Sequence, residues 1–137
     1  MATAKLYDSK RYFSEDVSAD NTVAIADSGV VLNQIADGKV TTLPAVASSN
    51  VGLTVIVYLG GVKAGGPVGS GTNASLGHTI SPNASDKIMG LGQAGTDDKD
   101  LLMAKANMMV GDYVKLRSDG VNGWFVEEAT GAWTFQA

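Results

Sequence analysis

The apolar runs of this chain are short, and residues typical of turns end each of them. The most hydrophobic run, residues 51–59 (VGLTVIVYL), is rich in β-branched side chains and is followed by two glycines. β-Branched side chains fit a pleated strand better than a helix, and a run of this length matches a strand. Because both the odd-numbered and the even-numbered positions of the run are apolar, we expect it to be a central strand that is covered on both faces.

Residues 114–128 (VKLRSDGVNGWFVEE) predict a β-hairpin. Val114 and Leu116 alternate with two basic residues, so they lie on one face of a strand. Residues 119–123 contain Asp-Gly and Asn-Gly, two dipeptides that tolerate positive φ and reverse a chain. A second strand is expected to begin at Trp124. We interpret this segment as the closing hairpin of a β domain.

The composition favours one all-β domain. The chain has 137 residues and a mass of 14.1 kDa, which suits a single core. Its 17 glycines favour short strands and tight turns, since each glycine costs a helix about 1 kcal/mol relative to alanine. We therefore predict a small β-sandwich or barrel-like domain over residues 17–137, preceded by an extended N-terminal arm of residues 1–16.

The predicted arm combines positive charge with apolar side chains. Residues 1–13 carry three basic residues and one aspartate, a net charge of +2 in a chain whose net charge is −4. Four apolar residues between these charges imply that the arm lies on another surface: Leu6, Tyr7, Tyr12 and Phe13. Two alternatives are a solvated terminus and an arm exchanged between protomers of an oligomer.

Two further segments are ambiguous or irregular. Residues 97–111 (DDKDLLMAKANMMVG) place apolar side chains where one face of a short helix would need them, yet they also fit an extended segment that leads into Tyr113. Residues 60–77 are rich in glycine and predict a long exposed loop.

The sequence contains no arrangement that predicts catalysis or metal binding. His78 is the only histidine, cysteine is absent, and there is no Gly-x-Ser-x-Gly element to present a nucleophile. The aspartates at 97, 98 and 100 lack the spacing of a calcium loop, and residues 65–71 (GGPVGSG) lack the Gly-Lys-Ser/Thr of a phosphate loop. Glu127 and Glu128 are adjacent and would face opposite sides of a regular strand. We predict no enzymatic activity, no metal and no cofactor.

The net charge and the hydropathy of the chain limit the classes of partner that it can bind. A sequence pI of about 4.7 disfavours direct binding of nucleic acid, whose phosphates a negative surface repels. No apolar run approaches the roughly 20 residues that span a bilayer, and the charged N-terminus does not match a signal peptide. We expect a soluble product with no membrane partner that is not exported by the signal-peptide route.

A series of short motifs runs along nearly the whole chain, from about Tyr12 to Trp133. The motifs are Asn21-Thr22, residues 26–29 (ADSG), 41–44 (TTLP), 51–57, 79–82 (TISP), 86–90 (DKIMG), 97–101 (DDKDL), 111–114 (GDYV) and 118–124 (SDGVNGW). Their order resembles a family of small virion proteins of tailed bacteriophages, mostly capsid decoration or head-fibre proteins. The stretch 60–77 departs from the family by its greater length.

The resemblance implies a β-rich, trimeric protein that sits on the outer surface of a phage head and cements neighbouring capsid subunits. The expected partners are the major capsid protein and two further copies of the chain. Contact with the capsid is expected from charged and aromatic residues of the arm, since such side chains are enriched at interface centres: Lys5, Tyr7, Arg11, Tyr12 and Phe13. Packing of the core or the trimer interior is expected from Val55, Val57, Leu116, Trp124, Val126 and Trp133.

One alternative is a tail-fibre or receptor-binding virion module that grips a host glycan, and a second, less favoured one is a hydrolase that uses His78. That module would use residues 60–77 together with three aromatic side chains, Tyr58, Trp124 and Trp133.

Overall fold

The computed structural model describes residues 14–36, 38–60 and 76–137. These residues form eleven strands and three short 3-10 turns, so the all-β prediction is confirmed. The strands are β1 (Ser14–Val17), β2 (Asn21–Thr22), β3 (Val31–Gln34), β4 (Lys39–Thr42), β5 (Thr54–Leu59), β6 (Leu76–Ser81), β7 (Lys87–Met89), β8 (Leu101–Ala104), β9 (Tyr113–Ser118), β10 (Gly123–Thr130) and β11 (Trp133–Phe135). The 3-10 turns are Ile25–Asp27, Ser48–Asn50 and Lys105–Asn107.

The strands are divided between two sheets. The six-stranded sheet has the order β1-β3-β5-β9-β10-β7, and the five-stranded sheet has the order β11-β8-β6-β4-β2. From β1 to β9, each strand lies in the opposite sheet from the strand before it. Parallel neighbours such as β1, β3 and β5 cannot be joined by a tight hairpin, and here the crossover between them is a strand of the other sheet. The chain therefore winds around the space between the sheets.

That space is filled by one apolar core, to which both sheets contribute. Of the residues expected in the core, Val55, Val57, Leu116 and Trp124 are at most 1% exposed, and Trp133 is 7% exposed. Val126 is partly buried and packs against the same core. Trp133 is also anchored by its indole Nε1, which donates to the carbonyls of Tyr113 and Thr130 at 3.2 and 3.0 Å.

The prediction that residues 51–59 form a strand covered on both faces is wrong in two respects. The strand β5 begins only at Thr54, because Val51 and Gly52 belong to the preceding turn. Burial alternates along β5: its core-facing residues are buried, whereas Ile56 is half-buried and Tyr58 is 37% exposed. The physical reason is that the six-stranded sheet has only one face on the core.

The segment 97–111 adopts the extended alternative. It forms β8, which pairs with β6 and β11, followed by the 3-10 turn Lys105–Asn107. Leu101 and Met103 are fully buried, and the residues after each of them are half-buried. This period of two is that of a strand with one face on the core.

The β9–β10 hairpin reverses at residues 119–122, and its two glycines have different tasks. Gly120 has a φ of 76°, in the left-handed region that the turn needs. Gly123 instead pairs with Lys87 of β7, and a Cβ atom at Gly123 would overlap the Lys87 carbonyl oxygen. Gly123 thus allows the parallel pairing of β7 with β10.

We predict that Gly123→Ala destabilises the fold by about 3 kcal/mol, because backbone atoms of β7 would have to move. Denaturant unfolding would measure the loss, and hydrogen exchange would locate it in β7. Gly29→Ala is the control: its φ of 78° adds backbone strain of about 1–2 kcal/mol, but nothing lies within 4 Å of the added Cβ. Equal protection of β7 in Gly123→Ala and the native protein would contradict the assignment.

We also predict that Trp124→Ala costs about 3–5 kcal/mol, as expected when a fully buried large aromatic side chain is deleted. Its indole Nε1 has no hydrogen-bond partner among the described residues, and packing there accounts for its contribution. The neighbouring Phe125 points outward and is 39% exposed. Phe125→Ala should therefore cost less than about 1 kcal/mol in the same unfolding experiment, and similar losses for the two variants would refute this placement.

Candidate protein-binding surface

Three loops meet at one end of the two sheets. The first loop precedes β3, the second precedes β5, and the third is the tip of the β9–β10 hairpin. The registers of these strands bring the three loops to the same end. We call this surface the loop end and define it as residues 23–30, 43–53 and 119–122. The strand β1 also starts here, because Ser14 pairs with Val31 at the beginning of β3.

The loop end is tied to the core. The loop before β3 buries Val23 and Val30 at its two ends, and the loop before β5 buries Leu43 and Leu53 in the same way. Each loop is therefore fixed on both sides by apolar burial.

Hydrogen bonds connect the three loops through the strand ends that they adjoin. The amide of Gly29 donates to the carbonyl of Thr54 at 3.0 Å, which links the loop before β3 to β5. The amide of Gly52 donates to the carbonyl of Ser118 at 2.9 Å, and the Ser118 hydroxyl donates to Asn50 Oδ1 at 3.1 Å. These bonds make the loop end one connected platform.

Two carboxylates of the loop end are engaged by backbone amides. Asp27 Oδ2 accepts from the amide of Ala24 at 2.8 Å. Asp119 Oδ1 accepts from the amides of Val121, Asn122 and Gly123 at 2.8, 2.8 and 3.0 Å. Desolvation opposes ionisation of Asp119, but these amide bonds and the charge of Lys87 together lower its pKa below the usual value. Both carboxylates thus stabilise turns.

Three apolar side chains project from this platform. Ile25 is 66% exposed, Val51 is 61% exposed and Val121 is 77% exposed. Val51 lies directly against Gly120, which places it beside the hairpin tip, and a recess of about 220 Å³ is lined by both Ile25 and Val51. A single exposed apolar residue is ordinary, but three on connected loops mark a surface that can bind another protein.

Sequence reasoning missed this surface. It assigned Val51 to the strand β5 and interpreted residues 119–123 only as the turn of a hairpin. The available signal was the position of Val121, an apolar side chain placed between Gly120 and Asn122 in a turn where a polar residue is usual.

The opposite end of the sheets offers a useful comparison. Met109 and Val110 are 67% and 59% exposed in the turn between β8 and β9. Asp112 Oδ2 accepts from the amide of Met109 at 2.8 Å, so this turn is also held locally.

The outer face of the six-stranded sheet carries ion pairs. A register shift between Val126 and Glu128 places the carboxylates of Glu127 and Glu128 each 3.8 Å from Lys115 Nζ. The expectation that these glutamates face opposite sides is therefore wrong, and the β-bulge is the cause. Arg117 pairs with Glu127 and stacks over Phe125 at 5.9 Å. Such exposed pairs stabilise a fold only weakly, by about 0–1 kcal/mol each.

The residues expected to contact a capsid lie outside the described part of the chain. This applies to Lys5, Tyr7, Arg11, Tyr12 and Phe13. The predicted boundary between arm and domain, after residue 16, falls within β1. Of the predicted loop 60–77, the structure describes only Gly60 and residues 76–77.

Two of the three aromatic side chains suggested for glycan binding are inaccessible. Trp124 is fully buried and Trp133 is 7% exposed, so neither can stack on a ligand at the surface. Tyr58 remains partly exposed on the outer face of β5.

His78 lies inside the protein. It is fully buried in β6, and its Nε2 is 2.8 Å from the hydroxyl of Thr41. Burial lowers the pKa of His78 to about 4, although the charge of Asp20 acts in the opposite direction. A neutral imidazole without solvent contact suits packing rather than catalysis.

Within residues 14–36, 38–60 and 76–137, no cluster of three or more His, Cys, Asp or Glu could hold a metal ion. In the same residues, no helix is long and apolar enough to cross a membrane. Comparison of the chain with protein-family models and with curated proteins finds no match.

We predict that stability falls as the pH is lowered from 6.5 toward 4. In this window the unfolded chain binds a proton at His78 that the folded chain excludes, so the full stability is present only above pH 6.5. The difference between 6.5 and about 4 corresponds to at most about 3 kcal/mol. Denaturant unfolding across this pH range would measure it, and His78→Gln should flatten the profile. A native protein equally stable at both pH values would contradict the placement of His78.

Proposed function

We propose that the chain is a capsid decoration protein of a tailed bacteriophage, which binds the outer surface of the head and stabilises contacts between major capsid protein subunits. The observation that carries this proposal is the loop end, a connected platform from which Ile25, Val51 and Val121 project. A surface of this kind serves adhesion and needs no reaction. The order of sequence motifs, which resembles that of phage decoration and head-fibre proteins, points to the same role.

The chemistry of the loop end selects its partner. The carboxylates of Asp27 and Asp119 are engaged by the backbone, and the other side chains beside the recess are mostly apolar or uncharged. A surface with its charges engaged in this way matches an apolar, weakly charged patch of another protein better than it matches a phosphate or a strongly charged surface. The proposed occupant is the exterior of the major capsid protein.

The predicted arm enters the fold at the same surface. Ser14 opens β1 beside the start of β3, so residues 1–13 are joined to the body at the loop end. The aromatic and basic residues of the arm would therefore add to the contact made by the three loops. Their net charge of +2 would complement acidic groups on the shell.

We further propose that the protein acts as a homotrimer. The open sheets end in the short strands β1, β7, β2 and β11, and such edges are often covered by association. A trimer presents three loop ends to a repeating lattice, and binding through several sites at once can exceed single-site affinity by about 10² to 10⁴. Weak individual contacts are then sufficient for stable decoration.

The loop end can be tested with undecorated phage heads in a pelleting assay. We expect the double variant Val51→Asp/Val121→Asp to bind at least about tenfold more weakly, because two apolar contacts are replaced by charges that must be desolvated. The matched control is Met109→Asp/Val110→Asp, which introduces the same charges at the opposite end and should bind like the native chain. Thermal unfolding would verify that both variants are folded. Equal binding by the two variants would overturn the role of the loop end.

The proposed roles of the arm and of the trimer are tested by separate experiments. Deletion of residues 1–13 should weaken binding to heads, and undiminished binding would remove the arm from the contact. Sedimentation equilibrium of the native chain should give three times its mass of 14.1 kDa. A native chain that is monomeric and does not bind heads would refute the proposed function as a whole.

A further inference from the structure

A cavity lies beside one edge strand of each sheet. There β7 is the last strand of the six-stranded sheet and β11 is the last strand of the five-stranded sheet. The segment 93–99 passes beside this edge and, with the end of β11, encloses a cavity of about 300 Å³. This volume is at the lower limit of ligand pockets, so it suits one small ring.

One wall of the cavity is held in place by a tight turn. Gly90 and Gln93 exchange two backbone hydrogen bonds at 2.9 and 2.8 Å, and the two residues between them have positive φ values of 51° and 81°. Gly95 follows with a φ of 80°, and a Cβ atom there would press on the carbonyl oxygen of Ile88. The wall thus packs closely against β7.

Polar side chains of this wall have no partner within the described part of the chain. Gln93, Thr96 and Lys99 line the cavity, and none of their side chains appears in a hydrogen bond or ion pair there. By contrast, Gln136 is anchored to Asp100 by two hydrogen bonds. Its side-chain Oε1 accepts from the backbone amide of Asp100 at 3.2 Å, and its backbone amide donates to the Asp100 carbonyl at 2.9 Å. An amide, a hydroxyl and an ammonium group are therefore available to a ligand.

Phe135 supplies the apolar part of the cavity. Its ring is half-buried, packs against the core and also lines the cavity. An aromatic ring beside several uncommitted hydrogen-bonding groups is the arrangement that recognises a ring with one apolar face and polar edges.

We infer that this cavity binds one pyranose unit of a glycan. The C–H face of the sugar packs on Phe135, while its hydroxyls bond to Gln93 and Thr96. A strongly anionic ligand fits less well, because Lys99 is the only cation of the lining and Asp98 and Asp100 flank it in the sequence. A wholly apolar ligand would leave the polar groups unpaired. The inference does not depend on the proposed role in capsid decoration.

The full chain labelled with ¹⁵N can be titrated with maltotriose, fully N-acetylated chitotriose and tri-galacturonic acid while its amide spectrum is recorded. We expect saturable shifts at the amides of residues 93–99 and 135–136 with at least one neutral trisaccharide. Gln93→Ala should weaken that binding about fivefold, the effect of losing one hydrogen bond. Phe135→Leu keeps an apolar side chain on the core but removes the ring, and it should abolish binding.

Tyr58→Leu is the matched control, because it removes a partly exposed aromatic ring from a different face. It should leave sugar binding unchanged. No saturable shift with any of the three sugars would overturn the inference, as would full binding by a folded Phe135→Leu variant. Binding of tri-galacturonic acid alone that disappears at high salt would also overturn it, in favour of simple charge attraction to Lys99.

Discussion

The fold depends on burying one apolar face of each sheet against the other. Val57 and Leu116 of the six-stranded sheet and Ile80 of the five-stranded sheet are fully buried in the core that the two sheets share. The chain changes sheet at every strand from β1 to β9, so each sheet is built from strands that are separated in sequence by strands of the other sheet. Packing between the sheets and pairing within them are therefore one cooperative event, with many contacts between residues distant in sequence.

This winding also determines where surfaces arise. Each passage from one sheet to the other must turn at an end, and the turns before β3 and β5 gather beside the β9–β10 tip. Their inner residues are buried and their carboxylates bond to backbone amides, and the large apolar side chains exposed there are Ile25, Val51 and Val121. The turns of this platform are stabilised by their own hydrogen bonds, so its exposed apolar side chains are free for the proposed adhesive role. The cavity beside β11 differs from the loop end, because the side chains of Gln93, Thr96 and Lys99 that line it have no partner among the described residues.

Several features were within reach of sequence reasoning, and the failures have identifiable causes. The hairpin and the buried positions along β9 follow from local alternation and turn residues, which need no knowledge of distant partners. The two faces of β5 could not be distinguished in this way, because Ile56 and Tyr58 are as apolar as core residues. The pairing of Glu127 and Glu128 with Lys115 depends on a β-bulge, which shifts the side chains without a clear local signal. The loop end was missed because its members are separated by up to about a hundred residues along the chain.

The sequence by itself determined the class of the fold: short β-branched runs and abundant glycine favour strands over helices, since these preferences act within a few residues. It also determined that Leu116 and Trp124 occupy apolar positions. Only the tertiary structure decided that the strands alternate between two sheets, that His78 is enclosed and that Gly123 must lack a side chain. These features depend on atoms brought together from distant parts of the chain, and local preferences carry no information about such contacts.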